Sequence, residues 1–226
     1  MIDPDPPATP PPAEVDHPAS QAAPGHQDPS ASAALGGQAT GRRWLWAIVL
    51  PLVVVVAAGG VRFYQLGVPE RCYFDETYYY YDARDYLEVG TERSFAVHPP
   101  VGKWLIATGI ALLGVPEGSP VDAAVTTDPD GCAPGEDEPD DPAARAREAA
   151  ESFARRVMPA VFGTGAVAVA YLIGLRLFRR RSAAMLGAAL LAFDGLAVTM
   201  SRIAMLDIFL QFFVLLGVLA ILIDRD

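Results

Sequence analysis

Asp75 and Glu76 stand side by side in FDETYYYYDARDYL, residues 74–87, and SFAVHPPVGKWLI, residues 94–106, carries His98 and Lys103. A positioned carboxylate can act as a general base, and fixed cations can hold an anionic group. Taken singly, an acidic pair reads as solvated surface charge, and tyrosines near a bilayer read as interfacial anchors. Their conjunction with the one lysine of the whole chain, and with the one histidine outside the N-terminal tail, favours a site. Arginine supplies every other positive side chain, so a compact ammonium five residues after an imidazole, beside Pro99 and Pro100, stands out.

These residues need a scaffold, and composition says which kind. The chain has 226 residues, 52% of them hydrophobic. The apolar residues clump into four segments, 44–64, 157–178, 183–200 and 203–223, each near the ~20 residues that cross a hydrocarbon core. Helix is the state expected of each, because backbone groups in lipid must pair within their own segment. Small residues, as in FGTGAVAVA, let such helices pack closely. The expectation is an all-α, multi-pass membrane protein with four transmembrane helices and a long first loop. Arg42 and Arg43, Arg176 with Arg179 to Arg181, and Arg225 flank those segments on one side, which by the positive-inside tendency puts both termini in the cytoplasm and residues 65–152 outside.

Five regions follow. Residues 1–41 read as a disordered cytoplasmic tail, being rich in Pro, Ala, Ser, Gly and Asp with little to bury. Residues 42–64 are the first span, and residues 65–114 the candidate catalytic loop. Within that loop helical spacing predicts a helix over 77–87, a stop at Gly90, an extended stretch before Pro99, and a second short apolar helix lying along the membrane surface. Successive helical residues diverge, so at most two of Tyr78 to Tyr81 can face one site. Residues 115–152 read as an acidic, flexible continuation of the loop, and residues 153–226 as three further spans. The formal charge of −10 lies largely in that loop and in the tail, and no basic stripe with interleaved aromatics points to nucleic acid. No metal-ligand spacing is present: the acidic loop departs from the EF-hand pattern. Cys72 and Cys132 both fall outside, where a bridge and two thiols are both open. Asp194 and Asp207, in or at the ends of apolar segments, are expected in a structural charge network with Arg202.

FDETYYYYDA, SFAVHPPVGKWLI and DGLAVTMSRIAMLDIFLQFFVLLGVLAILIDRD together resemble the protein O-mannosyltransferases of actinobacteria, within the wider GT-C type of membrane glycosyltransferases that use polyprenyl-phosphate sugars. The resemblance covers the chain from about Arg42 onward, apart from the acidic loop. It implies transfer of mannose, with inversion, from polyprenyl phosphate mannose to Ser or Thr hydroxyls of polypeptides emerging at the outer face of the plasma membrane, the translocon being the expected meeting place. It implies that Asp75 is the catalytic base, that Glu76 is its functional neighbour, and that Arg156 in RRVMPAVFG is important at the donor. Arg156, Lys103 and His98 are then the candidates for the donor phosphate. Tyr81 departs from the family pattern, which usually has lysine there. Family members are roughly twice as long, so the chain is expected to be an N-terminal portion. The lipid-linked sugar is a substrate rather than a cofactor, and the resemblance leaves dependence on a divalent metal open. The alternatives are a related transferase with a glycan or lipid acceptor, and a non-catalytic membrane remnant or assembly subunit.

Overall fold

The computed structural model describes residues 47–69, 72–93, 97–114 and 142–225. The chain divides into two units, Met1–Arg42 and Arg43–Asp226, and every described residue belongs to the second. The expectations of a disordered tail and of a flexible acidic segment over 115–141 therefore fall outside the described residues, as does Cys132; Cys72 is disulfide-bonded.

Among the described residues the secondary structure is helical, without strands. Helix α1 is Ala47–Phe63. The site region holds α2, Glu76–Glu88, and α3, Pro100–Leu113. They are followed by α4, Pro142–Phe178, α5, Arg181–Phe193, the short α6, Gly195–Met200, and α7, Asp207–Asp224. Two of these, α4 and α7, are long and apolar enough to cross a membrane, whereas α1 and α5 are apolar but shorter.

Local chemistry sets the ends of α2 and α3. Phe74 takes a left-handed φ of 56° just before Asp75, which occupies the N-cap position of α2. The chain leaves that helix through Val89 and Gly90, whose φ of 79° suits a residue without a Cβ. Pro99 is extended and Pro100 opens α3, where its missing N–H would have had no helical partner. Gly114 ends α3 in the left-handed conformation, its amide bonded to the Ile110 carbonyl.

Two departures from the sequence reading have clear causes. Helix α4 starts at Pro142, inside the stretch read as flexible, because PAARAREAAESFARR is dominated by strong helix formers. The third apolar segment, 183–200, is two helices rather than one. Asp194 adopts an extended conformation between them and accepts a hydrogen bond from the Ala197 amide at 2.7 Å, capping α6. The carbonyls left at the end of α5 find a partner in Arg62, a fully buried arginine of α1. It donates to Ala192 O at 3.0 Å, Leu191 O at 3.5 Å, Ala58 O at 3.1 Å and Ser201 Oγ at 3.0 Å. The three helices can converge there because of Gly163 on α4: a Cβ on it would meet the Ser201 Cβ at 2.4 Å and Arg62 Nε at 3.1 Å.

Helix α4 is the central strut, packed against α3, α5 and α7. Ala58, Val167, Ala188 and Ala192 join α1, α4 and α5 in one cluster of small buried side chains. A second cluster runs from Tyr79, Tyr80 and Ala83 on α2 through Ile106 and Ile110 on α3 to Ile208 and Phe209 on α7, with Phe162 of α4 edge-on to Phe209 at 5.1 Å. Large apolar side chains such as Leu52, Val56, Leu190, Leu210 and Ile221 remain exposed on these helices.

Candidate functional site

Glu76 and Asp75 are neighbours in sequence with opposite surroundings. Glu76 is fully buried, and its two oxygens accept five hydrogen bonds. Arg156 supplies two, Nε at 2.8 Å and Nη2 at 3.1 Å, and Arg155 Nε a third at 3.2 Å. The backbone amides of Tyr73 and Ala204 supply the others, at 3.0 and 3.1 Å. Arg156 also donates through Nη1 to the carbonyls of Leu66, at 3.3 Å, and Pro69, at 2.7 Å. One carboxylate thus ties the segment after α1, the start of α2, helix α4 and the turn before α7 to a single point. Burial alone would raise the Glu76 carboxyl, but the Arg156 hydrogen bond, the Arg155 and Arg156 charges and the Ala204 amide outweigh it and hold it below the ordinary carboxylate value.

Asp75 is half-buried, and among the described residues its carboxylate makes no hydrogen bond or ion pair. It lies one helical turn before Tyr79, on the same face of α2. Tyr79 lines a cavity of about 280 Å³ between α2, α3 and α7, with His98, Gly102, Asp207, Phe209 and Phe213 among its other walls. The His98 ring meets Tyr79 edge-on at 5.5 Å. Gly102 keeps this part of α3 close to α7, since a Cβ there would fall 2.6 Å from Leu206 Cδ2. The Tyr79 phenol is pushed above its ordinary value, first by burial and then by the negative charges of Asp75 and Asp207.

The run of four tyrosines divides its labour as helical geometry requires. Tyr79 faces the cavity, whereas Tyr80 is buried in the other direction, its hydroxyl donating to Glu151 and its ring lying under the Arg155 guanidinium at 5.6 Å. Tyr78 is exposed, and Tyr81 packs on the Tyr80 ring with centroids 5.8 Å apart.

Two of the three cations expected at a donor phosphate are paired within the protein. Arg156 is held by Glu76, as described. Lys103 is 1% exposed, and its ammonium lies 2.8 Å from Asp82 Oδ2 and 2.6 Å from Glu92 Oε2. It joins α3 to α2 and to the connection between them, which Arg93 further fastens through Asp85 at 2.9 Å and Glu88 at 3.0 Å. Burial would lower the Lys103 ammonium, yet its bonds to Asp82 and Glu92 raise it, so this stabilisation is complete at neutral pH and is lost only as pH rises through the elevated value. Replacing Lys103 with Met should lower stability by about 1.5–3 kcal/mol, because two carboxylates lose a charged donor. Thermal unfolding of Lys103→Met, alone and combined with Glu92→Gln, checks this: the double variant should recover much of the loss, and no recovery would count against charge pairing as the cause.

His98 is the one expected cation that reaches the cavity. Asp194, Arg202 and Asp207 are not brought together. Arg202 donates to the carbonyls of Val61 at 2.8 Å, Arg62 at 3.3 Å, Tyr64 at 2.7 Å and Gln65 at 3.4 Å, capping the end of α1, whereas Asp194 caps α6 and Asp207 lies on the cavity wall. Sequence reasoning missed Arg62 and Arg155. A lone arginine within the apolar run of the first segment was a readable signal for Arg62; Arg155 had only its place beside Arg156.

The family described as dolichyl-phosphate-mannose-protein mannosyltransferase matches residues 46–128 and 141–223. Protein O-mannosyl-transferase 2 of Danio rerio is 30% identical over 176 residues, covering 76% of this chain and 20% of that protein. The polyprenol-phosphate-mannose–protein mannosyltransferase of Mycobacterium tuberculosis H37Rv is 29% identical over 158 residues, covering 68% of this chain and 24% of that protein. The matched part of the chain thus spans about a fifth to a quarter of the length of these curated relatives, which are longer than the roughly twofold expected from the sequence. No solved structure gives a significant match.

Proposed function

Because this chain belongs to the dolichyl-phosphate-mannose-protein mannosyltransferase family, we propose that it carries the catalytic loop of an enzyme that moves mannose from polyprenyl phosphate mannose to Ser or Thr hydroxyls of exported polypeptides. The observation that carries this reading is the contrast at positions 75 and 76. Glu76 is saturated with donors and sealed from solvent, whereas Asp75, one helical turn before the cavity-lining Tyr79, is the acid of the pair that remains able to accept a proton.

The step this supports is a single displacement. The Asp75 carboxylate takes the hydroxyl proton as the hydroxyl oxygen bonds to the sugar's anomeric carbon. The bond from that carbon to the phosphate oxygen breaks on the opposite side, its electron pair leaving with the phosphate, and configuration inverts. The phosphate is an adequate leaving group without a second acid, so the commitment of Glu76 to structure is compatible with the chemistry. His98 is the cavity's candidate for a hydrogen bond to the phosphate.

In this reading the chain is the N-terminal part of a GT-C type, multi-pass protein of the bacterial plasma membrane. Its first, third and fourth apolar segments join α4 as spans, the tail is cytoplasmic, and α2 and α3 lie at the outer interface, where membrane lipids and the translocon are neighbours. The arginines at 42–43, 176, 179–181 and 225 support that orientation. The test is transfer of labelled mannose by membranes carrying the protein, from polyprenyl phosphate mannose to a Ser/Thr-rich peptide. Labelled peptide is the expected result. Label passing instead to a glycan or lipid would favour a related transferase, and no transfer to any acceptor would favour a non-catalytic role.

A further inference from the structure

We infer that Asp207 is the sugar-binding carboxylate of this site, accepting hydrogen bonds from the hydroxyl groups of the transferred sugar; the inference rests on the mannosyl-transfer reading above. Asp207 is the first residue of α7, an otherwise almost wholly apolar helix. The same helix lines the cavity with Phe209, Leu210 and Phe213, and Asp207 is the one anionic residue among those walls.

The carboxylate has no hydrogen bond or ion pair among the described residues, and Arg202, the nearest cation in sequence, is engaged by four backbone carbonyls. An acceptor-only group at the mouth of an apolar cavity is suited to a ligand rich in hydroxyl donors. Tyr79 responds to the charges of both Asp75 and Asp207, which places its phenol within the field of two acids at the starts of two different helices. In the proposed step one acid takes up the acceptor's proton and cannot also hold the sugar throughout. The second is free for that purpose. A carboxylate repels the donor's phosphate, so of the two ends of a phosphate-linked sugar it is the neutral polyol that fits beside Asp207.

Asp207→Asn keeps the side-chain shape and removes the charge. Membranes carrying the wild type and this variant are to be compared in kcat/KM with polyprenyl phosphate mannose and with donors whose mannose lacks one hydroxyl. The variant should lose about 10- to 100-fold with the normal donor, the range expected of a hydrogen bond to a charged group. For at least one deoxy donor the loss should largely vanish, because the partner hydroxyl is already gone, while the KM for peptide stays put. Unchanged kcat/KM, an equal loss with every donor, or a rise in peptide KM would each overturn the assignment. Wild-type membranes that transfer no mannose would instead overturn the underlying mannosyl-transfer reading, and the inference with it.

Discussion

Asp75→Asn is expected to lower the initial rate of mannose transfer by about 10²- to 10⁴-fold, the usual contribution of a positioned general base. The substitution preserves size, and asparagine is as good an N-cap residue as aspartate, so α2 should begin where it does now. The nearest acids of α2 cannot take over. Glu76 has no free lone pair facing the cavity, and Asp82 is held by Lys103. The measurement pairs the transfer rate with thermal unfolding of the purified variant. A rate within a few-fold of wild type would remove Asp75 from the proposed step, and a large fall in stability would mean that its role is structural.

Glu76→Ala should have the opposite profile, a loss of fold from which loss of activity follows. Removing this carboxylate takes the shared anionic partner from two arginine side chains, each no more than 3% exposed, and the acceptor from the amides of Tyr73 and Ala204. Breaking a buried ion pair by deleting one partner costs about 3–5 kcal/mol, a large share of the stability of a typical domain. Glu76→Gln should fall between, since the amide keeps an accepting oxygen but loses the charge. Acid should mimic the effect. The Glu76 carboxyl is held below its ordinary value in the folded protein, so its contribution is complete above the ordinary carboxylate pKa and disappears as pH falls through the lower folded one. Unfolding temperatures of the two variants across neutral to acidic pH check this. A wild type whose advantage over Glu76→Gln did not shrink on acidification would show that the clamp does not depend on charge.

The legible parts of this molecule are those written in local chemistry. Gly90, Pro99, Pro100 and Gly114 bracket two short helices, and the helix expected over 77–87 extends over Glu76–Glu88. Clumped apolar residues announce long helices, of which α4 and α7 are the clearest. What the sequence hid is pairing at a distance. Arg156 and Lys103 look like cations available to a phosphate until folding brings Glu76 and Asp82 to them from 80 and 21 residues away. The break at Asp194 was hidden for the same reason: the sequence shows a charge within the apolar run, but not that an arginine on another helix receives the carbonyls at its interruption. Family membership needed none of this, since the motif stretches around residues 74 and 98 are contiguous in the chain.

Arg62 has a further consequence for how the chain is made. Once α1 is taken to be embedded in lipid, its guanidinium carries a heavy desolvation cost until Leu191, Ala192 and Ser201 arrive, some 130 residues later in synthesis. Helix α1 then gains these partners only after α5 and α6 have been made. It must linger near water or a helper until α5 and α6 emerge, and a chain stopped short of them would leave that helix a ready target for quality-control proteolysis.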